Sequence, residues 1–557
     1  MALHLKEILL RHDAVVADLL ASQIRDPQNA RYGGFLREGY HVDPRYCGFS
    51  LGDLLVAYTC RESAYYMNDE LRGAIEANMD YLQAHQRPDG CVDLSGCNFA
   101  SAPDTAFMCN HLFNAYWLVE KHGGAAMAPL KERLYACIER CCEGIAVGGF
   151  HTPNHRWAIA SCLMSAYKLM GREDFKARAE EYLSEGLDIN EDGEFAERSA
   201  GNYNQVNDDQ MIRLYLATGE ARFLEAARRN LDMMRCYIEP DNSVFTNNST
   251  RQDYGRKVYL ETYYILFLLT GYLLGDPKLG AMAEWIYSVS GTRVAPNGDG
   301  FAVAWLLLLD GLDGYGAKEP LEHEWLNYNR YFRDSRIARV RRGDISYTVM
   351  EGKPNFLYFQ HGSYVMYMVI HGRVCAKGNF IADSIEPIPG GYRLHSVSES
   401  WYYLPFYPEK PETSDWWKMD NPNRRRRMYG EELDMTVEIT EADDGIDVRV
   451  RSTGLDQVPL RVELGFEADS VLRTPSVIIH GKAGDAATLV SGDAELTGPR
   501  GEAITLSPGF AQHNSLSRRD GAYPQSAQHF TVYMTAYSPI DQTFHIGTRG
   551  TMKRDLT

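Results

Sequence analysis

Four short turns recur along the first three hundred or so residues, and this recurrence limits the possible fold more than any other feature of the chain. Pro88-Asp89-Gly90, Glu191-Asp192-Gly193, Pro240-Asp241-Asn242 and Pro296-Asn297-Gly298 set their middle residues 103, 49 and 56 residues apart, so the first interval is close to two of the others. Between the turns run segments such as LRGAIEANMDYLQAH, RWAIASCLMSAYKLMG and RFLEAARRNLDMMRCYI. In these, apolar residues return every three or four positions, the period of a helix, and glycine often closes the segment as a C-cap. A repeat of this length holds one helix pair, which predicts about six pairs as far as residue 315 or so. Pairs that close on themselves make an (α/α) toroid; an open solenoid is the alternative.

From about residue 330 the texture changes. ISYTVM, YVMYMVIHG, GIDVRVRST, LRVELGFE and HFTVYMTAY are short, alternating, and rich in β-branched and aromatic residues. Gly, Asp and Asn turns separate them and no long helical pattern interrupts, which predicts an antiparallel β-sandwich. At 557 residues the chain exceeds what one core usually serves. The expected organisation is a toroid over 1–318 and a sandwich over 319–557, with Glu319 to Asn327 as linker.

Several function classes are disfavoured. A net charge of −18 argues against a nucleic-acid partner, which needs a basic face. The basic run Arg424 to Arg427 reads as a solvated loop. No glycine-rich phosphate loop follows a strand. Apolar runs such as Val303 to Leu309 are too short to span a bilayer, and the first twenty residues read as an amphipathic helix rather than a leader, so the expected location is cytoplasmic. The eleven cysteines are an odd number, several sit inside helical patterns, and none form a CxxC pair. Reduced buried thiols are expected rather than disulfides or zinc, and no cofactor or metal.

Polar residues gather where the helical repeats begin. HTPNHRWAIASC sets Asn154, His155 and Arg156 side by side at a helix start; the bland reading makes Asn154 the N-cap. EFAERSAGNYNQVND carries Glu197, Arg198 and Tyr203 in a loop poor in core residues. NNSTRQDYGRKVY carries Arg251, Asp253 and Tyr254 at the corresponding place in the next repeat. Polar loops at equivalent repeat positions suggest one shared groove. In the strand-rich half, Gln360-His361-Gly362 interrupts a strand pattern.

With these residues the chain resembles the heparinase II/III-like polysaccharide lyases and the alginate lyases of the same build, which join an α/α toroid to a β-sandwich. That family carries an Asn-His pair at a helix start, a Tyr about fifty residues later and a His on an early sandwich strand; here these are Asn154-His155, Tyr203 and His361. The resemblance implies β-elimination on an acidic oligo- or polysaccharide. Asn154 would bind the uronate carboxylate with help from His361, His155 or Tyr203 would take the C5 proton, and Tyr203 would protonate the leaving oxygen. It also implies that the four converge on one groove at the domain interface, with Arg156, Arg198, Arg251 and Tyr254 binding the sugar. The family's sandwich metal is not expected, because Ser363 stands in the place of one ligand, although Asp383 and His395 match the others. A homo-oligomer is possible.

Two rivals stand. A glycoside hydrolase on the same toroid would use paired carboxylates from Asp104, Glu197 and Asp253. A non-catalytic carbohydrate-binding protein would use the 11% of aromatic residues as stacking platforms.

Overall fold

The computed structural model describes residues 4–290, 293–318, 320–374, 377–404, 413–418, 427–514 and 524–548. Arg424 to Arg426 and Glu319, the first residue of the expected linker, lie outside the described residues. The chain forms two compact units: 1–238 with 242–322, and 239–241 with 323–557.

The first unit is helical. Its helices are Leu5–Ser22 (α1), Pro44–Thr59 (α2), Asp69–His85 (α3), Ala102–His122 (α4), Ala128–Val147 (α5) and Pro153–Met170 (α6). They continue as Glu173–Ser184 (α7), Tyr203–Thr218 (α8), Ala221–Arg235 (α9), Tyr264–Leu274 (α10), Pro277–Ser290 (α11) and Asp299–Leu308 (α12). None is long and apolar enough to cross a membrane. The even-numbered helices α2, α4, α6 and α8 pack in succession, and α12 packs on α1, α2 and α4. The first helix thus meets the last, where Arg11 of α1 pairs with Asp299 of α12 at 2.9 Å.

Inner and outer helices differ as their positions require. On the outer α9, Phe223, Leu224, Ala227, Leu231 and Met234 face inward while Arg222 and Glu225 are exposed, the ordinary one-sided pattern. The inner α8 is buried along most of its length although it carries Asn204, Gln205, Asn207, Asp208, Asp209, Gln210 and Arg213. Several of these bond to neighbouring inner helices. The Gln210 Oε1 accepts from Asn110 Nδ2 (2.8 Å) and Ser161 Oγ (2.7 Å), and Arg213 donates to Asn114 of α4 (3.0 Å) as well as to Asp209 of its own helix (2.9 Å).

The recurring turns have a common backbone. Gly90, Gly193, Asn242 and Gly298 all adopt positive φ, at 96°, 91°, 64° and 93°. At Gly90 and Gly193 the chain also presses on an outer helix: a Cβ there would fall 2.0 Å from the Arg140 carbonyl oxygen of α5 and 2.4 Å from that of Arg229 of α9. Glycine is needed for two reasons at once. Gly90→Ala is therefore expected to lower the unfolding free energy of the helical unit by about 2–4 kcal/mol, read by denaturant unfolding of the far-ultraviolet helix signal.

Among the described residues, the second unit is a β-sandwich of two nine-stranded sheets. Among the same residues its pairing is antiparallel apart from Ala486–Thr488, which runs parallel to Thr531–Tyr533, and the single parallel bridge of Ala511 to Thr535. Alternation sets the core. Val437 and Ile439 stand opposite Val450 and Val448 in one sheet, and Leu464 and Phe466 opposite Val532 and Phe530 in the other; all are buried. The expected class, a helical toroid followed by an antiparallel sandwich, is the observed one. The segment Glu239–Asp241 belongs to the second unit although helical repeats flank it: the Glu239 carboxylate accepts from Ser346 Oγ and from the fully buried Arg339 (2.9 Å).

Candidate active site

The inner helices begin alike. Asp43 caps α2 with Pro44 behind it and Arg45 next; Ser101 caps α4, followed by Pro103 and Asp104; Thr152 precedes Pro153, Asn154 and His155 on α6; and Tyr203 opens α8. Proline fits the first turn, where its missing N–H is not needed. The residues just after it are held by the helix yet lie at its end. Contacts join these starts. Arg45 pairs with Asp104 at 3.0 Å, and Asp104 in turn acts on His155. Several helix N-termini, each with a partial positive charge, thus meet in one neighbourhood of an acidic chain.

Asn154 is not the N-cap; Pro153 is the first helical residue and Thr152 makes no side-chain cap. The cap comes from Glu197, 43 residues on, whose carboxylate accepts from the Asn154 backbone N–H (3.1 Å) and from Asn154 Nδ2 (2.8 and 2.9 Å). The second amide hydrogen goes to Thr152 Oγ1 at 3.0 Å. Both donors are therefore committed, while Oδ1 is buried with no partner among the described residues. Burial pushes the Glu197 carboxyl up; the Asn154 donors and Arg251, whose Nε lies 3.5 Å from Oε1, oppose the shift.

Arg251 is the common neighbour of the site. Its guanidinium carbon lies 4.8 Å from the centroid of the Tyr203 ring, a cation–π contact, and it also acts on His155. The loop behind it is held by Asp253, which accepts from Ser199 Oγ (2.8 Å), Ser249 Oγ (2.6 Å) and the Gly201 N–H (2.9 Å). Ser249 Oγ accepts the Arg251 N–H (3.1 Å), and Ser199 Oγ accepts the Tyr203 N–H (3.1 Å). One carboxylate thus fixes the backbone of both Tyr203 and Arg251.

The His155 imidazole is brought down to about 4, chiefly by burial, with His151, Arg251 and Arg45 adding to the effect and Asp104 opposing it. It is therefore neutral well above about 4, and Nδ1 accepts the His151 N–H at 3.4 Å, which leaves the proton on Nε2. Phe107 meets its ring edge-on at 6.0 Å.

Of the expected sugar-binding residues, Arg251, Arg198 and Tyr254 lie in these loops. Arg198 takes a positive φ of 48° and pairs with Glu194 at 3.3 Å, and Tyr254 is 42% exposed. Arg156 does not belong with them. It is buried, donating to the carbonyl oxygens of Tyr182 (2.8 Å) and Gly186 (2.5 Å) and lying over the Trp157 ring (4.3 Å), so it staples α6 to the end of α7. Arg156→Ala is expected to cost about 2–4 kcal/mol of stability, through carbonyls left without their charged donor. An unchanged melting temperature would contradict this.

The carboxylates of the hydrolase alternative are similarly committed. Asp104 takes Arg45, Asn98 (3.0 Å) and Ser101 (2.6 Å), and Asp253 carries its three loop donors. Arg45 was not singled out in the sequence, yet its position just after a cap-proline pair matches that of Asn154.

His361 ends the strand Leu357–His361 of the second unit, half-buried, with Nδ1–H donating to the Ala503 carbonyl at 2.8 Å. Ser363 donates to Glu502 (2.7 Å), His395 pairs with Asp434 (3.0 Å), and Asp383 accepts from Ser396 Oγ (3.2 Å) and the Val397 N–H (3.1 Å). These residues form no three-ligand group; among the described residues the His, Cys, Asp and Glu set close enough to hold a metal is Cys109, Cys142 and Cys162.

No protein-family model matches the sequence, and no curated protein matches it. Solved structures do. A Paenibacillus xanthan lyase superposes with a TM-score of 0.55 at 11% identity over 98% of this chain, which spans 57% of that enzyme's length. The Streptomyces coelicolor A3 chondroitin AC lyase, solved with chondroitin sulphate, gives 0.54 at 12% identity over 98% of this chain and 79% of its own. The heparan sulfate lyase HepC of Pedobacter heparinus gives 0.54 at 10% identity over 98% and 89%. The fold is the one these polysaccharide lyases share.

Proposed function

We propose that the chain is a polysaccharide or oligosaccharide lyase that cleaves uronate-containing glycans by β-elimination. The observation that carries this reading is the stacking of Arg251 on Tyr203, with the Glu197 carboxylate that holds Asn154 in an ion pair with the same guanidinium. Elimination needs a cation to neutralise the sugar carboxylate, so that the C5 proton becomes acidic enough to remove, and a phenol or imidazole to move protons. The C5–H bond breaks, a C4=C5 double bond forms, the C4–O4 bond breaks, and O4 leaves with a proton.

Tyr203 is the proposed acid, and also the base. A general base works best near the operating pH, and His155, brought down to about 4, is a weak one. Its Nε2–H suits it instead to donate to an anion. The Arg251 guanidinium lies 4.8 Å from the centroid of the Tyr203 ring, beside the phenol that would move the protons. Arg251 is the proposed carboxylate partner, joined by Asn154 once its amide exchanges Glu197 for the sugar carboxylate, one carboxylate for another. His361 is carried over from the resemblance alone, and the turnover of His361→Ala tests it. Arg198 and Tyr254 are proposed to flank the sugar.

The test is incubation with a panel of saturated uronate oligosaccharides while following ultraviolet absorbance. A lyase creates a C4=C5 bond conjugated to the carboxylate and absorbance rises. Reducing ends that appear without that chromophore mean hydrolysis, and binding without either product means a carbohydrate-binding protein.

A further inference from the structure

Away from this site, three consecutive helices bring thiols to one point in the dry core of the helical unit. Cys109 of α4, Cys142 of α5 and Cys162 of α6 are each fully buried, and their sulfurs all lie within 4.8 Å of one another. Cys109 and Cys142 are 3.9 Å apart, sulfur to sulfur. With metal–sulfur bonds of about 2.3 Å, the sulfur–sulfur edge is about 3.8 Å around a tetrahedral ion and about 4.0 Å around a trigonal one. The closest observed edge, 3.9 Å, falls between these values, and the others are no longer than 4.8 Å.

We propose that Cys109, Cys142 and Cys162 form a three-thiolate site for one soft metal ion, monovalent copper being the ion whose chemistry fits best. The number of ligands decides between candidates. A structural zinc site almost always takes four protein ligands. Cys141, next in sequence, is not within the same distance of all three sulfurs, and its own sulfur accepts from Gln86 Nε2 at 3.0 Å. No imidazole or carboxylate joins the group among the described residues. Soft sulfur ligands without oxygen or nitrogen select monovalent copper, and a dry core protects that oxidation state.

Each thiol that binds gives its proton to solvent, so affinity falls as pH falls.

The experiment is an anaerobic titration of the reduced, metal-free protein with copper(I), in competition with a bathocuproine chelator. One tightly held ion per chain is expected, with sulfur-to-copper charge-transfer absorption and a higher melting temperature. Cys162→Ala and, independently, Cys142→Ala should each weaken binding about 10–100-fold while keeping the native circular dichroism spectrum. Cys97→Ser, which removes an exposed thiol, should change nothing. The proposal is overturned if the chelator strips all copper, if neither core variant that folds alters affinity, or if Cys97→Ser abolishes binding. Stoichiometric zinc binding in place of copper would overturn the choice of ion. None of these readouts involves sugar cleavage, so they stand apart from the lyase reading.

Discussion

Tyr203→Phe is expected to lower turnover on a uronate oligosaccharide by about 10²–10⁴-fold while leaving KM within a few-fold, the range that one positioned acid–base group contributes. The substitution removes one oxygen and almost no volume. What holds Tyr203 in place does not involve that oxygen: its backbone N–H is bonded to Ser199 Oγ, and its ring lies under Arg251. The fold and the stacking should survive, and only proton transfer is lost, so the deficit belongs to the transition state. Steady-state kinetics beside an unchanged melting curve make the measurement. Near-normal turnover would remove Tyr203 from the mechanism and bring Tyr254 or a carboxylate pair forward.

Arg251→Gln is expected to cost about 10²–10³-fold in kcat/KM, the scale of losing one donor to a developing oxyanion, with both kcat and KM affected. The guanidinium contributes to binding the carboxylate and gains strength as charge moves onto that group. Stability should change little, because the ion pair with Glu197 is long at 3.5 Å and the Arg251 side chain is 27% exposed. A rise in KM alone would reduce Arg251 to ground-state binding. A collapse of stability would make it a structural partner of Glu197.

The helical half was legible because its signals are local. Period, glycine closures and turn chemistry all act within a few residues, and the four turns have the positive φ that Gly and Asn allow. The site loops were legible for a related reason: a segment such as EFAERSAGNYNQ has too little apolar surface to be core. Long-range partners were not legible. Nothing near Asn154 announces that Glu197, 43 residues on, takes its amide. Arg156 was misread because a guanidinium beside a histidine at a helix start looks like a site. One step along a helix turns a side chain by about 100°, and the long stem of Arg156 carries its charge to the carbonyls of Tyr182 and Gly186. Three residues, Glu239 to Asp241, leave the helical unit for the sandwich, too short a departure for any pattern to reveal. Cys109, Cys142 and Cys162 come from three different helices, and sequence spacing does not bring them together.

The Asp253 carboxylate ties Ser199 and Gly201 of one loop to Ser249 of the next. Thr250 adds a bond to the Glu197 carbonyl at 2.8 Å. Segments joined in this way exchange with solvent as one cooperative unit, since opening either breaks buried bonds that also hold the other. Phenol and guanidinium are therefore either both in register or both adrift. Heat, denaturant or a distant mutation that loosens this knot would remove active molecules from the population rather than weaken every molecule a little.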